Sequence, residues 1–195
     1  MRGRSAPSGG GPPQHRGYEP VGHSYGGVCA LEAALLTTGI GKLVVYEPPM
    51  GFLVSSPEVV DRLQALCDAG ERDELVAFFM HEVAGVPHHQ VEAMRALPAW
   101  GARLEVAHTI PREERASREY RFDAERLRGV DVPTLVLQGG DSADPFKAAA
   151  QALQDALPRC HIALLPGQRH TAMDTAPDLF LAEMLGFLQA PSDGH

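Results

Sequence analysis

Cysteine is scarce and scattered in this chain. The 195 residues hold three, Cys29, Cys67 and Cys160, an odd number at spacings that neither a disulfide framework nor a metal site uses. They read as reduced, partly buried thiols of a cytoplasmic protein, with no metal expected. Positive charge is also in short supply: 17 Lys and Arg stand against 25 Asp and Glu, a formal net charge of −8. With no basic stripe, a nucleic-acid partner is not expected. No apolar run approaches the roughly 20 residues that cross a bilayer, so no membrane partner is expected. Met1-Arg2-Gly3-Arg4 is basic, but Gly and Pro follow it where a secretory signal would have an apolar stretch.

The chain is rich in hydrophobic residues, 44% of the total, enough for one sizeable core. Residues 1–20 are Gly-, Pro-, Ser- and Arg-rich and read as a disordered tail; residues 191–195 read as a second tail. Between them, apolar strand-like runs (Lys42–Tyr46, Thr134–Leu137, Ile162–Leu165) alternate with helical ones, the pattern of a parallel sheet covered by helices. Residues 51–120 offer no strand. Pro57–Ala69, Glu71–Ala84 and His88–Leu97 each carry apolar residues at helical spacing, with Ser56 placed to cap the first. Trp100 and Phe79 in this stretch are candidates to line a pocket, with plain helix packing as the simpler reading.

The strongest local signal is Gly22-His23-Ser24-Tyr25-Gly26, followed at once by the helix-forming run Val28 to Leu36. It reads G-x-S-x-G, a serine on a sharp strand-to-helix turn. Such a turn calls for small residues two before and two after the serine, here Gly22 and Gly26. The Tyr25 N–H and the start of the following helix would then face a developing oxyanion. On this reading His23 lies inside the turn and points away from the serine. Further on, Leu135-Val136-Leu137 leads into Gly139-Gly140-Asp141-Ser142-Ala143-Asp144-Pro145, and Ile162–Leu165 leads into Pro166-Gly167-Gln168-Arg169-His170. An acid and a histidine thus each follow the C-terminal end of a strand, where open α/β sheets place their sites.

With its order of Ser, Asp and His, the stretch from about residue 21 to 188 resembles the α/β-hydrolase fold family, in particular its esterase/lipase-like and haloperoxidase-like branches. The resemblance implies an α/β fold: a mostly parallel sheet with flanking helices, its core formed by residues 21–50 and 121–190, and a helical cap or lid insert at 51–120. It implies Ser24 as nucleophile, His170 as base and Asp141 as the acid that orients it, with Asp144 as the alternative acid; Asp144 can equally cap the helix opened by Pro145. It implies no cofactor and a small-molecule substrate, a small and fairly apolar ester or related acyl compound, and leaves homo-oligomer formation open. Haloperoxidase-like, C–C-cleaving and lactonase chemistry use the same triad, and fold does not choose among them.

One part of the family pattern is not found. Ser24 stands only 24 residues into the chain, and Gln14-His15-Arg16-Gly17-Tyr18-Glu19-Pro20 does not read as a buried strand, because Pro20 lacks a ladder N–H and Arg16 and Glu19 would enter the core. The expectation is an N-terminally truncated sheet, from a shortened or mis-started reading frame, without the loop that carries the second oxyanion donor. Such a chain would be weakly active and prone to aggregate through its open edge. The alternative function is therefore a catalytically weak or inactive remnant, at most a binding module.

Overall fold

Strands form where β-branched and large apolar residues run together. In the computed structural model, which describes residues 17–191, β1 (Val21–His23), β2 (Leu43–Tyr46), β3 (Thr134–Gly139) and β4 (Cys160–Leu165) make one parallel sheet in the spatial order β1-β2-β3-β4. Register carries Gly22, Val45, Val136 and Ile162 across the four strands side by side. Alternation along each strand sends successive side chains to opposite faces. Leu43, Val45 and Val136 pack with Leu31 of α1 (Tyr25–Leu36) and Leu153 of α8 (Asp144–Ala156). On the other face Val44, Tyr46, Leu135, Leu137 and Leu165 meet Phe180 of α10 (Pro177–Gln189), which follows the short α9 (Ala172–Thr175). Covering both faces is what a parallel sheet requires. Most of the N-terminal tail (residues 1–16) and of the C-terminal tail (192–195) lies outside the described residues.

The start of the sheet is short: residues 17–20 form no strand, as the sequence reading expects of the segment up to Pro20. A short strand does lead into Ser24, although Val21 is 46% exposed, and Tyr18 adds one parallel bridge to Ile40. Among the described residues β1 pairs with β2 alone and forms the sheet edge. Beside it, Lys42 is buried ahead of β2. Its Nζ donates to the carbonyls of Phe187, Leu188 and Ala190 at 2.8, 2.9 and 2.5 Å, a cation on the carbonyl-rich end of α10.

The connection from β2 to β3 holds helices and no strand: α2 (Pro57–Asp68), α3 (Arg72–Phe78), α4 (His88–Arg95), α5 (Ala99–Val106), α6 (Ile110–Glu119) and α7 (Ala124–Leu127). Ser56 accepts the Val59 N–H at 3.4 Å, with Pro57 opening α2. The ladder from α3 widens into a π-helical turn at Phe79–Val83. Leu63, Leu75, Val91 and Trp100 give this insert a hydrophobic cluster of its own. Trp100 is spent there, buried with its Nε1–H donating to Asp73 at 2.7 Å. All four strands run the same way, so their C-terminal ends share one rim beneath the insert.

Candidate active site

At that rim β1 stops at His23, and Ser24 takes φ 54°, ψ −125°, a conformation that non-glycine residues avoid. Its N–H donates to the Tyr46 carbonyl at 2.9 Å, and its carbonyl accepts Gly27 N–H at 2.9 Å as α1 begins. The turn is tight because strand and helix backbones touch. A Cβ on Gly22 would sit 2.5 Å from the Gly26 carbonyl oxygen and 2.7 Å from Gly27 Cα. The other crowded position is Gly27, whose Cβ would fall 3.1 Å from Pro48, whereas a Cβ on Gly26 would meet nothing within 4 Å. The demand for a small residue two after the serine is therefore misplaced by one position. Tyr25 opens α1, and among the described residues its N–H takes no backbone acceptor, which leaves it free for an oxyanion.

His170 lies past β4 and is buried. Its Nδ1 is 2.8 Å from Oε2 of Glu47, whose side chain is fully buried. Oε1 of Glu47 accepts the Gly139 N–H at 2.8 Å. Both carboxylate oxygens thus have donors, as a buried acid requires.

The two acids expected here are elsewhere. Asp141 is exposed, and its backbone N–H bonds the Gln168 carbonyl at 2.9 Å. Asp144 is the first residue of α8, its side chain 99% exposed and 3.7 Å from Lys147; the cap position belongs to Ala143. Neither side chain hydrogen-bonds His170. The turn after β3 faces both acids outward and buries Ser142 instead. The sequence reading misses Glu47 although the chain carries a signal for it: an acid directly after the all-apolar strand Leu43–Tyr46, at the same rim.

The loop around His170 is pinned at three consecutive places. The Tyr46 hydroxyl donates to the Arg169 carbonyl and accepts the Ala172 N–H at 3.1 Å. Burial pushes that phenol above its ordinary range, so the proton stays on. Between these bonds, His23 Nε2 lies 2.9 Å from the His170 carbonyl, where it must be the donor. His23 therefore does not point away from the site: its ring centroid is 4.5 Å from that of His170 and 5.2 Å from that of Tyr46. Burial, followed by the nearby His170, pushes His23 down to about 3. It stays neutral at any working pH and does not compete for a proton. Phe146 closes the other side, stacked on His170 at 4.4 Å.

Ser24, Tyr25 and His170 open into one cavity of about 340 Å³. The helical insert between β2 and β3 supplies its far wall, with Phe79, Met80, Val83 and Ile110 among the lining residues, and Arg103 of α5 reaches down to Asp174 at 2.8 Å. Among the described residues, Ser24 and His170 share no hydrogen bond; catalytic contacts of this kind commonly tighten only around a substrate. No three His, Cys, Asp or Glu side chains among the described residues converge so as to hold a metal ion. A hydroxyl on a strained turn, an imidazole held by a buried carboxylate and a free backbone N–H have the chemistry of nucleophilic acyl transfer.

Comparison with known proteins agrees on the scaffold. The sequence profile described as the alpha/beta hydrolase family matches residues 11–183. An alpha/beta hydrolase from Sphaerobacter thermophilus is 32% identical with a TM-score of 0.74, over 89% of this chain and 68% of that one. A hydrolase from Pseudomonas aeruginosa is 20% identical with a TM-score of 0.67, over 91% of this chain and 66% of that one. A bromoperoxidase from Bacillus anthracis is also 20% identical with a TM-score of 0.62, over 88% of this chain and 67% of that one. The chain thus spans about two thirds of the length of each. Among curated proteins none matched.

Proposed function

Since the chain belongs to the alpha/beta hydrolase family, we propose that it is a serine hydrolase of small, fairly apolar esters, with Ser24 as nucleophile, His170 as general base and Glu47 as the acid that orients His170. The observation that carries this reading is the buried Glu47–His170 pair at 2.8 Å opening into the same cavity as the strained Ser24. Ser24 Oγ attacks the ester carbonyl and passes its proton to His170 Nε2. The Tyr25 N–H takes up charge on the tetrahedral oxygen. Collapse releases the alcohol with that proton, and water, activated by the same imidazole, frees the acid and restores Ser24. Glu47 keeps the Nδ1 proton in place and offsets the imidazolium charge. Three free cysteines suit a reducing, cytoplasmic setting.

A second reading, a weakly active binding module, draws on the edge position of β1 and on a single identified oxyanion donor, since losing one such donor costs about 10²–10³ in rate. A fluorophosphonate probe separates the two. Covalent labelling of Ser24 that is lost in Ser24→Ala and strongly slowed in His170→Ala supports the hydrolase. Absence of labelling in folded protein supports the binding module.

A further inference from the structure

The cavity above Ser24 is not apolar throughout. Helix α6 places Glu113, Glu114 and Ser117 along it, and the segment before α2 adds Ser55. Residues at Ile110, Glu113, Glu114 and Ser117 share one helix face, so an otherwise apolar wall carries a polar strip. Ser55 Oγ donates to Glu114 Oε2 at 2.6 Å. Among the described residues Glu114 has no cationic partner, because the arginines around it are engaged elsewhere. Arg103 is on Asp174 at 2.8 Å, Arg115 on the Gln64 side chain at 2.7 Å, and Arg118 on the Ser55 carbonyl.

Ser117 is an independent sign. It is only 8% exposed, it lines the cavity, and its hydroxyl has no hydrogen-bond partner among the described residues. A half-buried carboxylate without a counter-charge and the hydroxyl of a cavity-lining serine without a protein partner are both open to a donor supplied by a ligand. Burial already pushes the Glu114 carboxyl up. A positively charged N–H donor in this place would satisfy both groups at once, bonding the carboxylate and the free hydroxyl oxygen.

We propose that Glu114, Ser55 and Ser117 form an ammonium-binding subsite at the cap end of the cavity, so that the substrate is an apolar ester carrying a protonated amine remote from the carbonyl that reaches Ser24. The substrate half of this statement rests on Ser24 being the nucleophile; the binding half does not. The apolar wall between the two ends takes the chain that links amine to carbonyl, and carboxylate-bearing compounds are repelled by Glu113 and Glu114.

The test separates the halves. Binding of hexylammonium, hexanol and hexanoate to the full chain bearing Ser24→Ala is measured by calorimetry. Hexylammonium should bind at least about tenfold more tightly than hexanol, with hexanoate weakest. Glu114→Gln should bring ammonium and alcohol to within about twofold, and Ser117→Ala should narrow the gap partway. Equal affinities, no ammonium binding at millimolar concentration, or a preference untouched by either variant would overturn the subsite. Circular dichroism establishes that each variant is folded, and Ser117→Ala serves if Glu114→Gln is not. In the wild-type chain, p-nitrophenyl esters of an ω-amino acid and of the matching alkanoic acid should differ in kcat/KM in the same sense. If neither ester turns over and Ser24 resists phosphonate labelling, the hydrolase reading fails while the calorimetry still decides the subsite.

Discussion

Nδ1 of His170 lies 2.8 Å from Oε2 of Glu47, while Oε1 of the same carboxylate takes the Gly139 N–H at 2.8 Å. One side chain at the end of β2 thereby ties the ends of β3 and β4 together. Glu47→Gln retains shape but offers an amide where Nδ1 needs a carboxylate. We expect kcat for a p-nitrophenyl ester to fall by about 10⁴, as it does when a serine protease loses its acid. Asp141→Asn and Asp144→Asn, at exposed positions, should stay within about twofold of wild type. A loss confined to Asp141→Asn would return the role to that residue.

The elbow makes a contrast between two neighbouring glycines. Gly22→Ala forces a methyl to within 2.5 Å of the Gly26 carbonyl oxygen, between two backbones that cannot separate without unseating Ser24. It should destabilise the fold by about 1–3 kcal/mol, lowering the thermal midpoint by several degrees. Gly26→Ala meets open space and should change stability by less than about 0.5 kcal/mol. Equal midpoints for the two variants, measured by thermal denaturation, would mean that the elbow is looser than its geometry.

Much of this architecture is legible from residues alone, because local and global signals coincide. Strand positions such as Val45 and Val136 are apolar in unbroken runs, Ser56-Pro57 announces a helix, and Gly22-His23-Ser24 sets the elbow. What sequence cannot supply is which of several acids faces inward. Asp141 and Asp144 follow β3 with the right glycines, yet their side chains face solvent, a property of the turn's path and not of its composition. Glu47 obeyed the same strand-end rule but stood in Tyr46-Glu47-Pro48-Pro49, which reads as an ordinary loop entry. The position of His23 beside His170 depends on a packing between β1 and the loop after β4 that no local pattern encodes.

Lys42 carries a stability prediction remote from the chemistry. Its ammonium satisfies three carbonyls at the end of α10. Lys42→Met keeps most of the apolar stem but leaves those oxygens without their donor. A cost of about 1.5–3 kcal/mol is expected, the range for hydrogen bonds to charged groups. Urea unfolding followed by circular dichroism measures it. An unchanged midpoint would show that water replaces the ammonium without loss.

His23 gives the fold a pH dependence with a definite sign. Its pKa is about 3 in the folded chain and 6.5 ordinarily, so the unfolded chain binds a proton that the folded chain refuses. The associated stability is complete above about pH 6.5 and is lost as pH falls toward 3, by up to about 1.4 kcal/mol per pH unit. His23→Gln retains an N–H for the His170 carbonyl and removes the titration. The stability difference between about pH 7.5 and pH 5 in urea should therefore shrink in the variant. Parallel curves would place His23 in a wetter environment than its stacking on Tyr46 implies.

Tyr46 tests whether fixing the loop matters for turnover beyond folding. Its hydroxyl binds Arg169 on one side of His170 and Ala172 on the other, while its ring packs on Phe180 at a centroid distance of 5.4 Å. Tyr46→Phe leaves the ring contacts and deletes both bonds, so His170 keeps Glu47 but gains freedom to swing. Two hydrogen bonds at roughly 1 kcal/mol each allow up to about 30-fold loss of correctly held imidazole. The expected result is a kcat reduced about tenfold with KM within about twofold, because nothing that touches the apolar wall has changed. The Nδ1 proton of His170, observed by NMR, should exchange faster than in wild type. A thermal midpoint that falls while kcat and the Nδ1 resonance stay as in wild type would make Tyr46 a packing residue with no part in positioning His170.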